Sequence, residues 1–150
     1  MSHWKYKGTI LETPPEGSFG FVYEVISKID NKRYIGRKYF GKTRRIKPLK
    51  GRVNKRVIRS ESDWKTYTGS CKELNDDIQK YGKENFEFNI LTFGFTKGQV
   101  SYLEEMAQFI SNVLTSNIYY NTAIGSGRFK TLKKGDLLFN SIKELHEIRF

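Results

Sequence analysis

Cysteine, proline and, over one long stretch, acid are what this chain has least of. A single cysteine, Cys71, in 150 residues excludes an internal disulfide and suits a reducing, cytoplasmic compartment. Of three prolines, two fall together in Pro14-Pro15-Glu16-Gly17, a turn or linker that sets off an N-terminal arm over residues 1–18. No apolar run approaches the roughly 20 residues a membrane span needs, and the opening MSHWKYKG lacks the apolar core of a secretory signal. From Asn31 to Ser60 there are thirteen Lys or Arg and no Asp or Glu. Mixed charge runs are usually a solvated face, but one sign alone repels itself and calls for a polyanion.

The remaining composition is that of a globular domain. With 37% hydrophobic and 15% aromatic residues the chain can bury a core of its own. A net charge of +11 points to nucleic acid first and an acidic membrane surface second.

Two runs of alternating bulky and polar residues, Phe19 to Ile26 and Arg33 to Phe40, flank the turn-forming pair Asp30-Asn31 and predict a β-hairpin. Around an even loop, residues of opposite parity share a face, so Tyr23 and Tyr34 project from the same side. Residues 41–60 carry Pro48, Gly51 and no apolar period, which reads as a long basic loop. Ser60-x-x-Asp63 opens a short helical turn, and Ser70-Cys-Lys-Glu73 has the form of a capping box. The helix behind it should run to Tyr81, stop at Gly82, and present Leu74, Ile78 and Tyr81 on one face. Phe86 to Phe95 predicts a third strand with Phe86, Phe88 and Ile90 on one side. A second helix, capped at Thr96 and running from Gln99 to about Leu114, carries an apolar stripe of Val100, Leu103, Ala107, Ile110 and Leu114. Glu104 flanks that stripe while Glu105 points away from it. Residues 115–124 return Tyr120-Asn121 to the body. Residues 125–150 are expected to give a basic linker and a terminal helix from Asp136 to Phe150.

Val22-Tyr23, followed eleven residues on by Tyr34-Ile35-Gly36, resembles the paired motif of the GIY-YIG nuclease superfamily. The likeness spreads over roughly residues 19–122 and includes Gly82-Lys-Glu-Asn-Phe86, the helix bearing Glu104 and the closing Tyr120-Asn121. ESDWKTYTGSCKEL and YLEEMAQF look especially like the short nucleases of bacteriophages, several of them mobile or homing enzymes. The second motif is intact; in the first, Phe21 stands where the family usually has glycine.

This resemblance implies an α+β fold, with a small three-stranded antiparallel or mixed sheet flanked by helices in a nuclease-like domain over 19–124. It implies cleavage of phosphodiesters in double-stranded DNA with one divalent metal, Mg²⁺ or Mn²⁺, on Glu104, with Glu105 the fallback. Tyr23 would be the general base, its phenol lowered by Arg37 and Lys38, and Tyr34 would orient the water or the phosphate. Asn121 would support the site. An arginine downstream of the second motif would stabilise the phosphate, Arg44 by its offset or Arg59 if the basic loop is an insertion, with Arg45 and Arg56 also available. Tyr67 or Tyr39 would replace a histidine the family often has near that arginine. Arg37, Lys38, Lys42, Arg45, Lys47, Lys50, Arg52, Lys55, Arg56 and Arg59 would grip the duplex, with target choice left loose or supplied by a homodimer on DNA or by a partner protein. Trp4 and Trp64 read as core or loop anchors, with base stacking open for Trp64. The rival reading is a DNA- or RNA-binding protein that kept the fold and lost catalysis.

Overall fold

The structure is a computed structural model that describes residues 1–54 and 56–130; the expected terminal helix lies outside them. It is an α+β fold. A five-stranded mixed sheet has the order β2-β1-β7-β3-β4, formed by Lys5–Tyr6 (β1), Thr9–Ile10 (β2), Gly20–Ser27 (β3), Arg33–Tyr39 (β4) and Phe86–Gly94 (β7). Between β4 and β7 lie a separate two-stranded ribbon, Gly41–Ile46 (β5) and Arg56–Glu61 (β6), and helix α1, Lys72–Tyr81. Helix α2, Lys97–Ile110, follows β7, and Ala123–Ile124 (β8) pairs with Phe129–Lys130 (β9).

The three expected strands form the antiparallel centre, β4-β3-β7. The sheet is wider than expected because Lys5 and Tyr6 pair in parallel with Asn89 and Ile90, and Thr9–Ile10 folds back on them. On β7 the register slips between the partners of Val22 and Tyr23, leaving Leu91 unpaired. This bulge switches side-chain parity. Phe93 thereby joins Phe86, Phe88 and Ile90 on the face that also carries Phe21, Tyr23 and Val25. Trp4, Trp64 and Leu74 close over that face, all three fully buried. Trp64 is therefore an anchor, with no face free for a base. On the opposite face Val22 and Ile35 pack against Leu103 and Ala107 of α2 and against Val113 and Leu114.

Helix boundaries follow local chemistry with two corrections. Thr96 caps α2 by accepting from the Gln99 N–H at 3.0 Å, worth about 1 kcal/mol. Gly82 stops α1 with φ +92°, a conformation that glycine adopts without strain. The capping box at Ser70 does not form: Cys71 is the N-cap, and the Ser70 hydroxyl faces Tyr34 instead. Helix α2 ends at Ile110, which is exposed, so the buried stripe stops at Ala107 and Gln108. Residues 63–67 make a single hydrogen-bonded turn.

The expected basic loop is a β-ribbon over most of its length. Lys42 to Ile46 pair with Ser60 to Arg56, and both faces lie in solvent. With no buried face there was no two-residue apolar period to read.

His3 ties the N-terminus to the segment that carries Tyr67. Its Nε2 lies 2.9 Å from the Tyr67 carbonyl, which fixes Nε2 as the donor. The ring stacks on Phe88, and Nδ1 is buried without a partner among the described residues. Burial, helped by Lys83, lowers the imidazole pKa to about 4 from 6.5. The unfolded chain thus binds a proton that the folded chain refuses, and stability should fall as pH drops from 6.5 to about 4. Allowing for solvent screening of a half-buried ring, the loss is at most about 2 kcal/mol. Thermal denaturation over that range should show a steeper decline for the wild type than for His3→Gln; parallel curves would remove His3 from the account.

Candidate active site

Strand β4 is the edge of the main sheet, bridged by the return segment at Arg33, and the site wraps around it. Tyr23 sits directly across from Gly36, and Tyr34 two pairs away across from Val25. The two phenol rings lie on the same face, centroids 6.2 Å apart, as the hairpin parity predicted. Arg37 and Ile35 point to the other face, toward α2. Gly36 joins the two sides because it has no side chain: a Cβ there would lie 2.5 Å from the Tyr23 hydroxyl and 2.9 Å from the Tyr34 ring. Across this window Tyr23, Tyr34, Arg37, Tyr67, Glu104 and Asn121 line one depression of about 550 Å³.

Glu104 rises from α2 and accepts from Arg37 Nη1 at 2.7 Å, its side chain only 14% exposed. Burial lifts its carboxyl above the ordinary range, Arg37 pulls it back, and Glu105 adds to the rise. Glu105 itself turns to Arg128, 2.8 Å away, and does not line the depression. Burial, then the phenols of Tyr34 and Tyr67 and the Glu104 carboxylate, push the Tyr23 phenol well above the ordinary tyrosine value. Burial raises Tyr34 as well, against the Ser70 hydroxyl. The expected lowering of Tyr23 by Arg37 and Lys38 is thus reversed. Arg37 is already engaged by Glu104, and Lys38 by Asp63 at 2.6 Å, with its ammonium 3.9 Å from the centre of the Tyr67 ring.

Asn121 holds the second motif from behind. Its Oδ1 accepts from Ile35 N–H at 3.1 Å and its Nδ2 donates to the Ile35 carbonyl at 2.8 Å. One amide thus takes the place of a neighbouring strand at the sheet edge. Gln108 Nε2 donates to the same carbonyl at 3.0 Å, and its Oε1 is buried without a partner among the described residues. Tyr120 ties the return segment to α1 by donating to Asp77 at 2.6 Å.

Arg44, expected to serve the phosphate, stands exposed on β5 with Arg45, while Arg56 and Arg59 stand on β6. None of the four lines the depression. Arg59 and Lys42 line a second cleft of about 770 Å³ at the ribbon's base, together with Lys38 and Arg37; Arg37 borders both hollows. Tyr39 lies in that second cleft, so of the two tyrosines weighed as a histidine substitute it is Tyr67 that lies with Tyr23. Lys47, Lys50 and Arg52 are exposed in the ribbon's connection, and Lys55 lies outside the described residues. Gln108 and Ser70 were missed as lining residues. A polar side chain one turn beyond Glu104 on the same helix face was the available signal for Gln108.

Residues 4–124 match the family described as "Putative endonuclease segE, GIY-YIG domain". The chain belongs to this family. No curated protein and no solved structure matches it. The GIY-YIG match begins at Trp4, so it takes in β1 and β2, and it ends at Ile124 in β8. Within this GIY-YIG domain the glycine of the second motif has a steric reason. Gly36→Ala should drive a methyl into both motif tyrosines, costing about 1–3 kcal/mol in stability and shifting Tyr23 and Tyr34 together. Denaturant unfolding and nuclease assays on one preparation would check this; an alanine variant of wild-type stability and rate would remove the window at Gly36.

Proposed function

We propose that the chain is a metal-dependent DNA endonuclease of the short phage type, hydrolysing phosphodiester bonds at the edge of β4. The observation that carries this reading is the convergence of Tyr23, Tyr34, Arg37 and Glu104 on one open depression, beside a ribbon free of acid over residues 41–60. Phosphodiester hydrolysis needs a positioned water, neutralisation of charge on the phosphate oxygens and a route for a proton.

Glu104 fits a hard divalent cation. Among the described residues no group of three or more His, Cys, Asp or Glu could hold a metal ion. A lone carboxylate is what Mg²⁺ or Mn²⁺ uses when water and phosphate oxygens supply the other ligands. Bound there, the ion would neutralise charge developing on the phosphate. The chain's own residues do the rest. Arg37, released from Glu104, donates to the phosphate oxygens; among the described residues its guanidinium is the one that lines the depression, so it takes the role that offset counting assigned to Arg44. Tyr23 is a neutral phenol at rest. As the water oxygen bonds to phosphorus, Tyr23 accepts the water's proton and passes its own to Tyr67, which releases its own proton to solvent. The bond to the leaving oxygen breaks, and that oxygen takes a proton from solvent. Tyr34 orients the water, and Asn121 keeps the second motif in place.

Supercoiled plasmid incubated with Mg²⁺, with Mn²⁺ and with EDTA tests the reading directly. Nicked or linear product with either metal and none in EDTA is the expected result. Tight binding without cutting across metals and sequences would make this a binding protein on a nuclease fold, and cleavage of RNA duplex in preference to DNA would change the substrate class. Arg37→Ala should lower the cleavage rate by about a hundredfold or more, whereas Arg44→Ala should chiefly weaken binding. The reverse pattern would return the phosphate role to Arg44.

A further inference from the structure

The ribbon carries more than charge. Paired residues on a two-stranded ribbon share a face, so Lys42, Arg44, Ile46, Arg56 and Ile58 lie on one side and Thr43, Arg45, Val57 and Arg59 on the other. Four of its five cationic rung positions are arginine, while the connection at 47–55 has Lys47, Lys50 and Lys55 against Arg52 alone. A lysine suffices for a phosphate; a rigid fork of donors suits guanine O6 and N7, and aliphatic groups and threonine methyls suit the thymine methyl. Val57 and Ile58 are about half exposed, at 56% and 48%, with no core to enter. Six residues per strand extend roughly 20 Å, the length of about six base pairs. A two-stranded ribbon is also of a width that the major groove of B-form DNA admits.

Resting on the reading of the chain as DNA-directed, we infer that the β5–β6 ribbon enters the major groove and reads sequence there, so that target choice resides in the inserted element. Like charge on both faces opposes pairing with a second copy of the ribbon. Cations on both faces also suit an element held between two phosphate walls better than one laid on a flat anionic surface. Arg37 borders both the cleft at the ribbon's base and the catalytic depression. A strand leaving the groove at that base passes Arg37 into the site, which couples reading to cutting.

Binding selection from a random-sequence DNA pool in EDTA, followed by dimethyl sulfate interference on the selected duplex, tests this without needing cleavage. The expected result is a consensus of about five or six base pairs, with interference at guanine N7, which faces the major groove. Two variants accompany the full chain. One replaces residues 44–58 by Asn-Gly, closing Thr43 onto Arg59; no described residue in that span is buried, so the core is untouched. The other changes Arg44, Arg45, Arg56 and Arg59 to Gln with the backbone intact. Both should keep the thermal transition, lose the consensus, and bind the selected duplex about a hundredfold more weakly. RNA duplex of the same sequence should compete poorly, because its major groove is too narrow to admit the ribbon. No consensus, interference confined to adenine N3 in the minor groove, equal competition by RNA, or a consensus that survives in the glutamine variant would each overturn the inference. A protein that reads guanine N7 yet never cuts would sink the nuclease reading alone, and one that cuts without this footprint would sink this inference alone.

Discussion

Glu104→Gln should lower single-turnover cleavage by about a thousandfold or more while leaving DNA binding in EDTA within a few-fold of wild type. The substitution keeps the shape of the side chain and an oxygen able to accept from Arg37, so it removes charge and little else. Arg37 retains partial solvent contact, so loss of the ion pair leaves no buried unpaired cation. Stability should move the other way from activity. Burial raises the Glu104 carboxyl above its unfolded value. The folded chain therefore binds the proton more tightly, and the stability contributed by this group is lost as pH rises through that raised value. At neutral pH the charged form is a cost that the amide does not carry. The variant should melt at the same temperature as wild type or higher, the trade expected when a site is charged for chemistry. Glu105→Gln is the control, since Glu105 turns to Arg128; its rate should stay within a few-fold of wild type. If Glu104→Gln cuts within tenfold of wild type, the metal is held elsewhere.

What could be read from sequence divides along local and non-local lines. The pairing of Tyr23 and Tyr34 was legible because a hairpin's register is set within about a dozen residues, by the turn at Asp30-Asn31. Glu104 was legible because helix period alone separates it from Glu105. Arg37 was read as a DNA contact and as a cation beside Tyr23, while the arginine of the depression was sought at Arg44 by offset or at Arg59 across an insertion. Both of those stand on the ribbon, and it is Arg37 that lines the depression. The ribbon itself hid because strands are recognised by a buried face, and here neither face is buried. Two-residue strands such as Lys5–Tyr6 have no period at all; their place is set by pairing with Asn89 and Ile90 across the fold. The pKa of Tyr23 went the wrong way for a related reason. Sequence places Arg37 and Lys38 nearby, but it does not reveal that Glu104 and Asp63 have already claimed them.

Tyr23→Phe should be the second large loss, about 10²–10⁴ in rate, with the fold preserved. The ring is what the core uses: Tyr23 is buried against Trp4 at 4.7 Å between centroids and belongs to the main aromatic cluster. Phenylalanine keeps those contacts and forfeits one hydroxyl, for a stability change of about 1 kcal/mol. Tyr23→Ala would be uninformative, because emptying that volume costs about 3–5 kcal/mol on its own. The pH dependence then separates two ways in which the oxygen could act. If the phenolate were the working base, burial has put its pKa well above the ordinary value. The ratio of wild-type to Tyr23→Phe rates would then climb with unit slope through the neutral and alkaline range, since more of the active form appears at every step. If the neutral phenol takes the water's proton while passing its own to Tyr67, the ratio should be flat over that range, and Tyr67→Phe should lose rate as well. The flat profile is the expected one, because burial disfavours the phenolate and the nearby cations are engaged elsewhere, Lys38 by Asp63 and Arg37 by the phosphate. A unit slope would replace the relay with a phenolate, and a Tyr23→Phe rate within threefold of wild type would remove Tyr23 from the chemistry altogether.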